Sequence, residues 1–177
     1  MSQKIDTLEI GDSFSFRGPN GRLEYMGDGV FNIKQLKSQG GEIIEKKVKN
    51  VGMIAGGTGI TPMIQIIRAV LRNENDPTKL SLLFANKEER DIILRDKLEN
   101  PDRDFSDRFE VHYTLDKAED GWSGFTGFID EEMIRNTMPE PSDDTLILLC
   151  GPPKMNSEAV KPALESIGYS TDSIFNF

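Results

Sequence analysis

The sequence is poor in cysteine and histidine: its 177 residues include one of each, Cys150 and His112. A single cysteine cannot form an internal disulfide, and such scarcity is typical of a reducing compartment. One cysteine and one histidine also argue against a zinc site built from these two residue types. The composition therefore excludes disulfide-rich modules, and we expect no bound metal.

Long hydrophobic runs are missing as well. The longest uncharged stretch, residues 50–67, is interrupted by glycines and a proline, so we expect no membrane span in this chain. Acidic residues at Asp6, Glu9 and Asp12 break the N-terminal region before the apolar core of a secretory signal can form. We therefore expect a cytoplasmic protein, held at the cytosolic face of a membrane if the full-length protein has an anchor.

Positive charge is in deficit: 21 Lys and Arg residues face 30 Asp and Glu residues, for a net charge of −9. This balance argues against a nucleic-acid partner. Residues 1–50 depart from it and include a locally basic segment that contains Lys34, Lys37, Lys46, Lys47 and Lys49. The segment is either an ordinary solvated surface or a docking patch for an acidic partner.

One stretch, residues 51–63, organises the rest of the chain. Its uncharged residues 51–55 predict a strand buried on both faces, and a glycine-rich turn follows. Thr61 and Pro62 then predict the cap and the first residue of a helix that runs to about Arg72. Such a junction presents unpaired N–H groups and the positive end of a helix dipole, which favour a phosphate or diphosphate. The alternative is an ordinary turn, because Pro62 stands where the dinucleotide fingerprint has its third glycine.

The regions on either side of this stretch differ in pattern. Residues 1–49 contain strand candidates at 13–16, 23–25 and 30–33 and a turn at 18–21. These strands are too few to bury a core, so the region is the remainder of a larger β domain or an extension.

After residue 51, strands alternate with helices, which indicates a parallel sheet covered on both faces. The further strands are predicted at 80–84, 109–114, 145–149 and 173–177. The further helices are predicted after residue 88 to about 98, within 128–138, and from about 155 to 167. Right-handed crossovers would bring the strand exits to one edge of the sheet, where ligands bind.

Several residues near these exits have two or more interpretations. Asp116 is either an acceptor for ribose hydroxyls that repels a 2′-phosphate or an ordinary exposed aspartate. Cys150 is a nucleophile, a residue packed against a flat ring, or a buried cysteine. His112 is expected inside a strand and therefore structural. The terminal Phe177 either packs at the sheet edge or lies over a planar cofactor.

Three motifs closely resemble those of the NADH-cytochrome b5 reductase family. They are Gly-Gly-Thr-Gly-Ile-Thr-Pro-Met at 56–63, Cys-Gly-Pro-Pro-Lys-Met at 150–155, and the terminal Phe-Asn-Phe; segments 16–21, 83–86, 113–116 and 131–135 agree as well. The resemblance implies an α/β fold, with a parallel-sheet, ferredoxin-reductase-like NAD-binding domain at residues 46–177. It implies that residues 1–45 are the last strands of an antiparallel FAD-binding β-barrel.

The resemblance also implies roles for residues at the strand exits. Those expected beside the nicotinamide and diphosphate are Gly56, Gly57, Thr58, Cys150, Gly151 and Pro152. Those expected beside the adenosine are Phe84, Ala85, Asn86 and, as the mark of NADH preference, Asp116. Thr61 would reach the flavin. The predicted cofactor-binding set is completed by Gly59, Pro62, Met155 and Phe177, and Cys150 is the candidate catalytic residue.

The motifs with which this family grips FAD, Arg-x-Tyr-Thr/Ser and a later Gly-x-x-Ser, do not occur upstream of Gly11. We therefore expect the NADH-binding half of such a reductase with a fragment of its flavin half. The implied activity passes hydride from NADH to FAD and then single electrons to cytochrome b5 or another haem protein, in a monomer. The alternatives are a non-catalytic nucleotide-binding module and a reductase domain for another acceptor, as in nitrate reductase.

Overall fold

The structure, a computed structural model, describes residues 5–15, 17–18, 21–99 and 107–177. These residues form an antiparallel sheet of three strands and a parallel sheet of six. This arrangement confirms the predicted fold class, a parallel-sheet α/β domain preceded by antiparallel strands. None of the described helices is both long enough and apolar enough to cross a membrane.

The small sheet consists of β1 (Leu23–Gly27), β2 (Val30–Lys34) and β3 (Ile43–Lys47). The first two strands confirm the predictions at 23–25 and 30–33. β3 is not predicted, because Ile43 and Ile44 are both exposed and the strand shows no alternation of apolar and polar residues.

The predictions nearer the N-terminus fare less well. The strand predicted at 13–16 is wrong for residues 13–15, which form no strand. Residue 16 lies outside the described residues, as do residues 19 and 20 of the turn predicted at 18–21.

The large sheet has the strand order β7-β6-β5-β4-β8-β9. Its strands are β4 (Asn50–Gly56), β5 (Lys79–Asn86), β6 (Phe109–Leu115), β7 (Phe125–Thr126), β8 (Thr145–Cys150) and β9 (Ile174–Asn176). The central strand β4 contributes side chains to a hydrophobic core on each face of the sheet: Met53 packs on one face and Ile54 on the other. Burial on both faces explains why an uncharged run predicts this strand, whereas the two residues of β7 leave no pattern to detect.

Helix α1 (Ile60–Arg72) follows β4 through a 3₁₀ turn at Gly57–Gly59. Its apolar face is buried as predicted, but its predicted start is wrong. Because the 3₁₀ turn runs directly into the helix, Pro62 is the third helical residue and not the first. A proline is tolerated there, since N–H groups of the first turn have no partner within the helix. Thr61 does not act as the cap: its hydroxyl donates to the Thr58 carbonyl at 3.0 Å.

The three further helices that lie wholly within residues 21–99 and 107–177 are short: α2 (Arg95–Leu98), α3 (Glu131–Thr137) and α4 (Lys161–Ile167). The continuous helix predicted after residue 88 is wrong. A 3₁₀ turn occupies Glu89–Asp91, and the backbone of Leu94 is left-handed with φ 61°. A capping box between Glu88 and Asp91 closes the first turn locally, so the charged residues do not extend it. α4 is preceded by a π-helical turn, Met155–Val160.

Two sets of contacts attach β1 to the parallel-sheet region. Just before it, Arg22 Nη2 donates to the Asn176 carbonyl at 3.0 Å, and the guanidinium lies 4.9 Å from the Phe175 ring centroid. Further along, the Tyr25 hydroxyl donates to the carboxylate of Asp76, in the loop between α1 and β5. The predicted domain boundary between residues 45 and 46 falls inside β3, and the division into two domains stays a prediction.

Candidate functional site

A cleft of about 1160 Å³ lies at the carboxyl edge of the large sheet, where β4, β5, β6 and β8 end. The structure brings together twelve of the fifteen residues in the predicted site. They are Gly56, Gly57, Thr58, Gly59, Thr61, Ala85, Asn86, Asp116, Cys150, Gly151, Pro152 and Met155. The exits of four parallel strands therefore share one concave surface, which is the usual place for a ligand in an open α/β sheet.

Glycines allow the two loops at the centre of the cleft to interlock. A Cβ atom on Gly59 would lie 2.0 Å from the Cys150 carbonyl oxygen, so the backbone at the start of α1 touches the backbone at the end of β8. A Cβ atom on Gly56 would lie 2.8 Å from both Pro152 Cδ and Met155 Sδ. These positions accept no side chain without movement of the neighbouring loop.

At Gly57 the backbone conformation, and not a close contact, favours glycine. Its φ is +52°, and a Cβ atom there would have no heavy atom within 4 Å. The residue therefore faces open space in the cleft, with a backbone conformation that glycine adopts at little cost.

The start of α1 opens onto the same space. Among the described residues, no side chain caps this helix: its N-cap is Gly59, and the Thr61 hydroxyl is engaged as a donor. The N–H of Ile60 donates to the Gly57 and Thr58 carbonyls, and Pro62 has no N–H. An anionic ligand would therefore meet the start of the 57–59 turn, which no described side chain caps, and the positive end of the helix dipole. This geometry fits the diphosphate of a dinucleotide.

Asn86, at the end of β5, has unused hydrogen-bonding capacity. Its side chain is 6% exposed, and neither Oδ1 nor Nδ2 has a partner among the residues that the structure describes. A buried amide without partners is costly, by about 1–3 kcal/mol for each unsatisfied group. Because Asn86 also lines the cleft, a bound nucleotide would supply the missing partners.

Cys150 is half-buried at the end of β8, and burial raises the pKa of its thiol. The thiol is therefore protonated at neutral pH, unlike that of an activated nucleophile. His112 lies inside β6 as predicted, three strand spacings or about 14 Å from β8. It cannot act as a base for Cys150, so the geometry favours a packing role for this thiol.

Three predicted site residues lie outside the cleft. Phe84 is fully buried in the core, where its ring packs near that of Tyr113. Pro62 is half-buried in the first turn of α1. Phe177 is 45% exposed at the end of the chain, and its N–H donates to the Leu149 carbonyl at 3.0 Å. A cofactor role for these three stays a prediction that the geometry of the cleft does not support.

The model of the oxidoreductase NAD-binding domain family matches residues 53–161. The chain belongs to this family. It is 51% identical, over its full length, to NADH-cytochrome b5 reductase 3 of Rattus norvegicus, of which it covers 58%. It is likewise 48% identical over its full length to NADH-cytochrome b5 reductase 1 of Homo sapiens, of which it covers 57%. The resemblance seen in the motifs is thereby confirmed, and the chain spans a little over half the length of these curated relatives.

Among solved structures, the NAD-binding domain is similar to the cytochrome b5 reductase domain of Ulva prolifera nitrate reductase. The TM-score is 0.89 at 38% identity, and the match covers 99% of this chain and 64% of the other. The similarity includes the small antiparallel sheet, because nearly all of this chain is superposed.

The cleft of this NAD-binding domain also has lining residues that sequence reasoning missed. They are Lys87, Asp91, Ile93, Phe128, Ile129, Lys154, Glu158 and Ala159. Phe128 is 81% exposed, which is unusual for an aromatic side chain and marks an apolar rim beside Asp116. No signal for this role was available, because nothing in the sequence indicates that the segment before α3 reaches the cleft.

Proposed function

We propose that this chain is the NADH-binding part of an NADH-cytochrome b5 reductase-type oxidoreductase. The observation that carries the proposal is the interlocking of the 56–59 turn with the 150–155 loop, which places an uncapped helix start beside Cys150 and Pro152. A diphosphate fits the 57–59 turn at the start of α1, and a flat ring fits against the surface that the two loops form together. The 51% identity to a reductase of this type supports the assignment.

The two ends of the nucleotide have different surroundings in this proposal. The nicotinamide lies against the surface that Gly56 and the 150–152 segment form together, where the two loops touch and both line the cleft. The adenosine lies towards Asn86, Asp116 and Phe128, where an unpaired amide, a carboxylate and an exposed aromatic ring meet. These groups suit a base with two ribose hydroxyls.

No side chain has to move a proton in the proposed hydride step. FAD, when bound, supplies the hydride-accepting and one-electron chemistry. The residues of this chain bind and orient the nucleotide, and the packed loops exclude water from one side of its ring. Because the family's FAD-gripping motifs are not found upstream of Gly11, we expect the isolated chain to bind NADH but to be inactive.

The haem-protein acceptor remains part of the proposal, with cytochrome b5 as the first candidate. Of the basic segment, Lys34, Lys37 and Lys47 are exposed on or near the small sheet. In contrast, Lys46 donates to the Asp172 carbonyl and Lys49 pairs with Asp144 at 2.6 Å. The three exposed lysines support docking of an acidic partner. The structural similarity to a nitrate reductase domain keeps a different acceptor as the second candidate.

We also propose that the chain is a monomer and is located in the cytoplasm. Its single cysteine supports a reducing compartment. Membrane attachment of a longer protein would place this domain on the cytosolic face.

NADH titration of the purified chain, with and without added FAD, tests the proposed function. We expect colourless protein that enhances NADH fluorescence on binding, with no flavin absorbance retained after FAD is added and removed by gel filtration. A bare nucleotide-binding module would give the same binding but no activity when joined to a flavin domain. Absence of NADH binding in a folded sample would refute the proposal.

The ribose contact of Asp116 gives a first prediction. Asp116→Ser removes a negative charge that repels a 2′-phosphate, so we expect the ratio of the NADPH and NADH dissociation constants to narrow about tenfold. The measurement is fluorescence titration with each nucleotide. Glu158→Gln is the matched control, because it removes an exposed acidic charge from another part of the cleft and should leave the ratio nearly unchanged. An unaltered ratio in Asp116→Ser would count against the assigned role.

The thiol of Cys150 gives a second prediction, for a full-length reductase that contains this chain. Cys150→Ala is expected to lower the rate of hydride transfer severalfold while the thermal unfolding midpoint changes little, because the side chain packs beside the ring and forms no catalytic pair. Stopped-flow reduction of the flavin by NADH measures this rate. Unchanged kinetics would remove Cys150 from the mechanism.

A further inference from the structure

The end of the cleft that holds Asp116 also contains a positive charge. The chain segments stay hydrogen-bonded to each other just past the ends of β5 and β6: the N–H of Asp116 donates to the Asn86 carbonyl at 3.0 Å, and that of Lys117 donates to the Lys87 carbonyl at 2.9 Å. Asn86 is paired with Leu115, so Lys87 and Asp116 are the next neighbours. Adjacent strands lie about 4.8 Å apart, so the backbones of Lys87 and Asp116 lie close together, and both residues line the cleft.

The structure distinguishes between the two lysines that flank Asp116. Lys87 lines the cleft together with Asp116, whereas Lys117 does not. Lys87 is exposed, and no described carboxylate lies within ion-pair distance of its Nζ. Its ammonium group is therefore available to a ligand.

We propose that Lys87 is a second specificity-determining residue, which gives the adenosine end of the cleft affinity for a 2′-phosphate in spite of Asp116. The inference rests on the proposed nucleotide site and deepens it. A ribose with a free 2′-hydroxyl donates to Asp116. A 2′-phosphate carries up to two negative charges, which Asp116 repels and Lys87 attracts. The neighbouring opposite charges make the site tolerant of 2′-phosphorylated nucleotides rather than strictly selective for NADH.

The test uses two probes that differ by a single phosphate, 5′-AMP and adenosine 2′,5′-bisphosphate. Both occupy the adenosine end alone, so the result does not depend on FAD or on the nicotinamide. Their inhibition constants are measured by displacement of fluorescent NADH from the unmodified chain and from variants. We expect Lys87→Gln to weaken the bisphosphate about tenfold and 5′-AMP less than twofold. Raising the salt concentration should reduce the difference, because the contact is exposed and screened.

Lys117→Gln is the matched control, since it removes the same charge one residue from Asp116 but outside the cleft. It should change the ratio of the two inhibition constants less than Lys87→Gln does. The double variant Lys87→Gln with Asp116→Ser should bind the bisphosphate more weakly than Asp116→Ser alone. A ratio that is insensitive to Lys87→Gln, or equal effects of the two lysines, would overturn the inference while leaving the nucleotide site intact. Failure of NADH itself to bind would instead overturn the proposed function.

Discussion

Replacement of Gly59 by alanine is expected to lower the free energy of unfolding by about 3 kcal/mol or more and to abolish measurable NADH binding. The new Cβ atom would lie 2.0 Å from the Cys150 carbonyl oxygen, 2.6 Å from its carbonyl carbon and 3.1 Å from the Gly151 nitrogen. All three atoms belong to the backbone, so no rotation of a side chain relieves the clash. The start of α1 has to move away from the end of β8, and both segments line the cleft.

Gly57→Ala is the matched control for this prediction. Gly57 belongs to the same turn, but a Cβ atom on it meets no heavy atom within 4 Å. The loss of unfolding free energy in Gly57→Ala therefore comes from the positive φ alone and should be about 1–2 kcal/mol. Chemical denaturation gives the two unfolding free energies, and fluorescence titration gives the affinities for NADH. If Gly59→Ala proved as mild as Gly57→Ala, the close contact between the two loops would not exist as described.

The parts of the fold that could be predicted are those in which burial leaves a continuous pattern. β4 and β8 are covered on both faces, so their uncharged runs define them in the sequence. The edges are different: β3 is largely exposed and β7 has two residues. The segment after Asn86 has the composition of a charged helix, but its backbone is not continuously helical. Its acidic and basic side chains instead form local contacts, such as those of Arg95 with Glu89 and Glu99.

The candidate site was predictable to the extent that it consists of strand exits. Parallel topology brings the ends of β4, β5, β6 and β8 together whatever their side chains, so the glycine turn, Asn86, Asp116 and Cys150 were expected in one place. The direction of individual side chains was not predictable. Phe84 turns into the core because of its position in the alternation of β5. Lys87 lines the cleft from a bend just past the end of β5, where strand alternation no longer applies.

Removal of the Asp76 carboxylate is the second change with a large expected effect. Asp76 is 1% exposed and accepts hydrogen bonds from the Tyr25 hydroxyl, from the Asp28 N–H at 3.1 Å, and from both the N–H and the hydroxyl of Thr78. Its own carbonyl accepts from Arg108 Nη1 at 2.8 Å. Tyr25 and Asp28 belong to the first hairpin, so this one carboxylate holds the small sheet against the loop that leads into β5.

Asp76→Ala is expected to lower the free energy of unfolding by about 3 kcal/mol, because several buried donors lose their acceptor at once. Tyr25→Phe is the conservative comparison: it removes one donor and should cost about 1 kcal/mol. Both values come from chemical denaturation at neutral pH. Equal costs for the two variants would mean that the Tyr25 hydroxyl alone accounts for the attachment.

The pH dependence of the unfolding free energy distinguishes the effect of the negative charge on Asp76 from the effect of the size of its side chain. Burial alone would raise the pKa of Asp76, but hydrogen bonds from Thr78, Tyr25 and Asp28 outweigh burial and lower the pKa below its ordinary value. A carboxyl whose pKa is lower in the folded state contributes stability above its unfolded pKa of about 3.9 and loses that contribution as the pH falls through the folded value.

We therefore expect the difference in unfolding free energy between the unmodified chain and Asp76→Asn to be constant from about pH 8 to 5 and to shrink below about pH 4. Burial and Asp76 raise the pKa of Tyr25 to about 12, so the tyrosine stays a donor throughout this range. A difference that is the same at pH 3 and pH 7, or that grows on acidification, would show that the hydrogen bonds do not depend on the charge of the carboxylate.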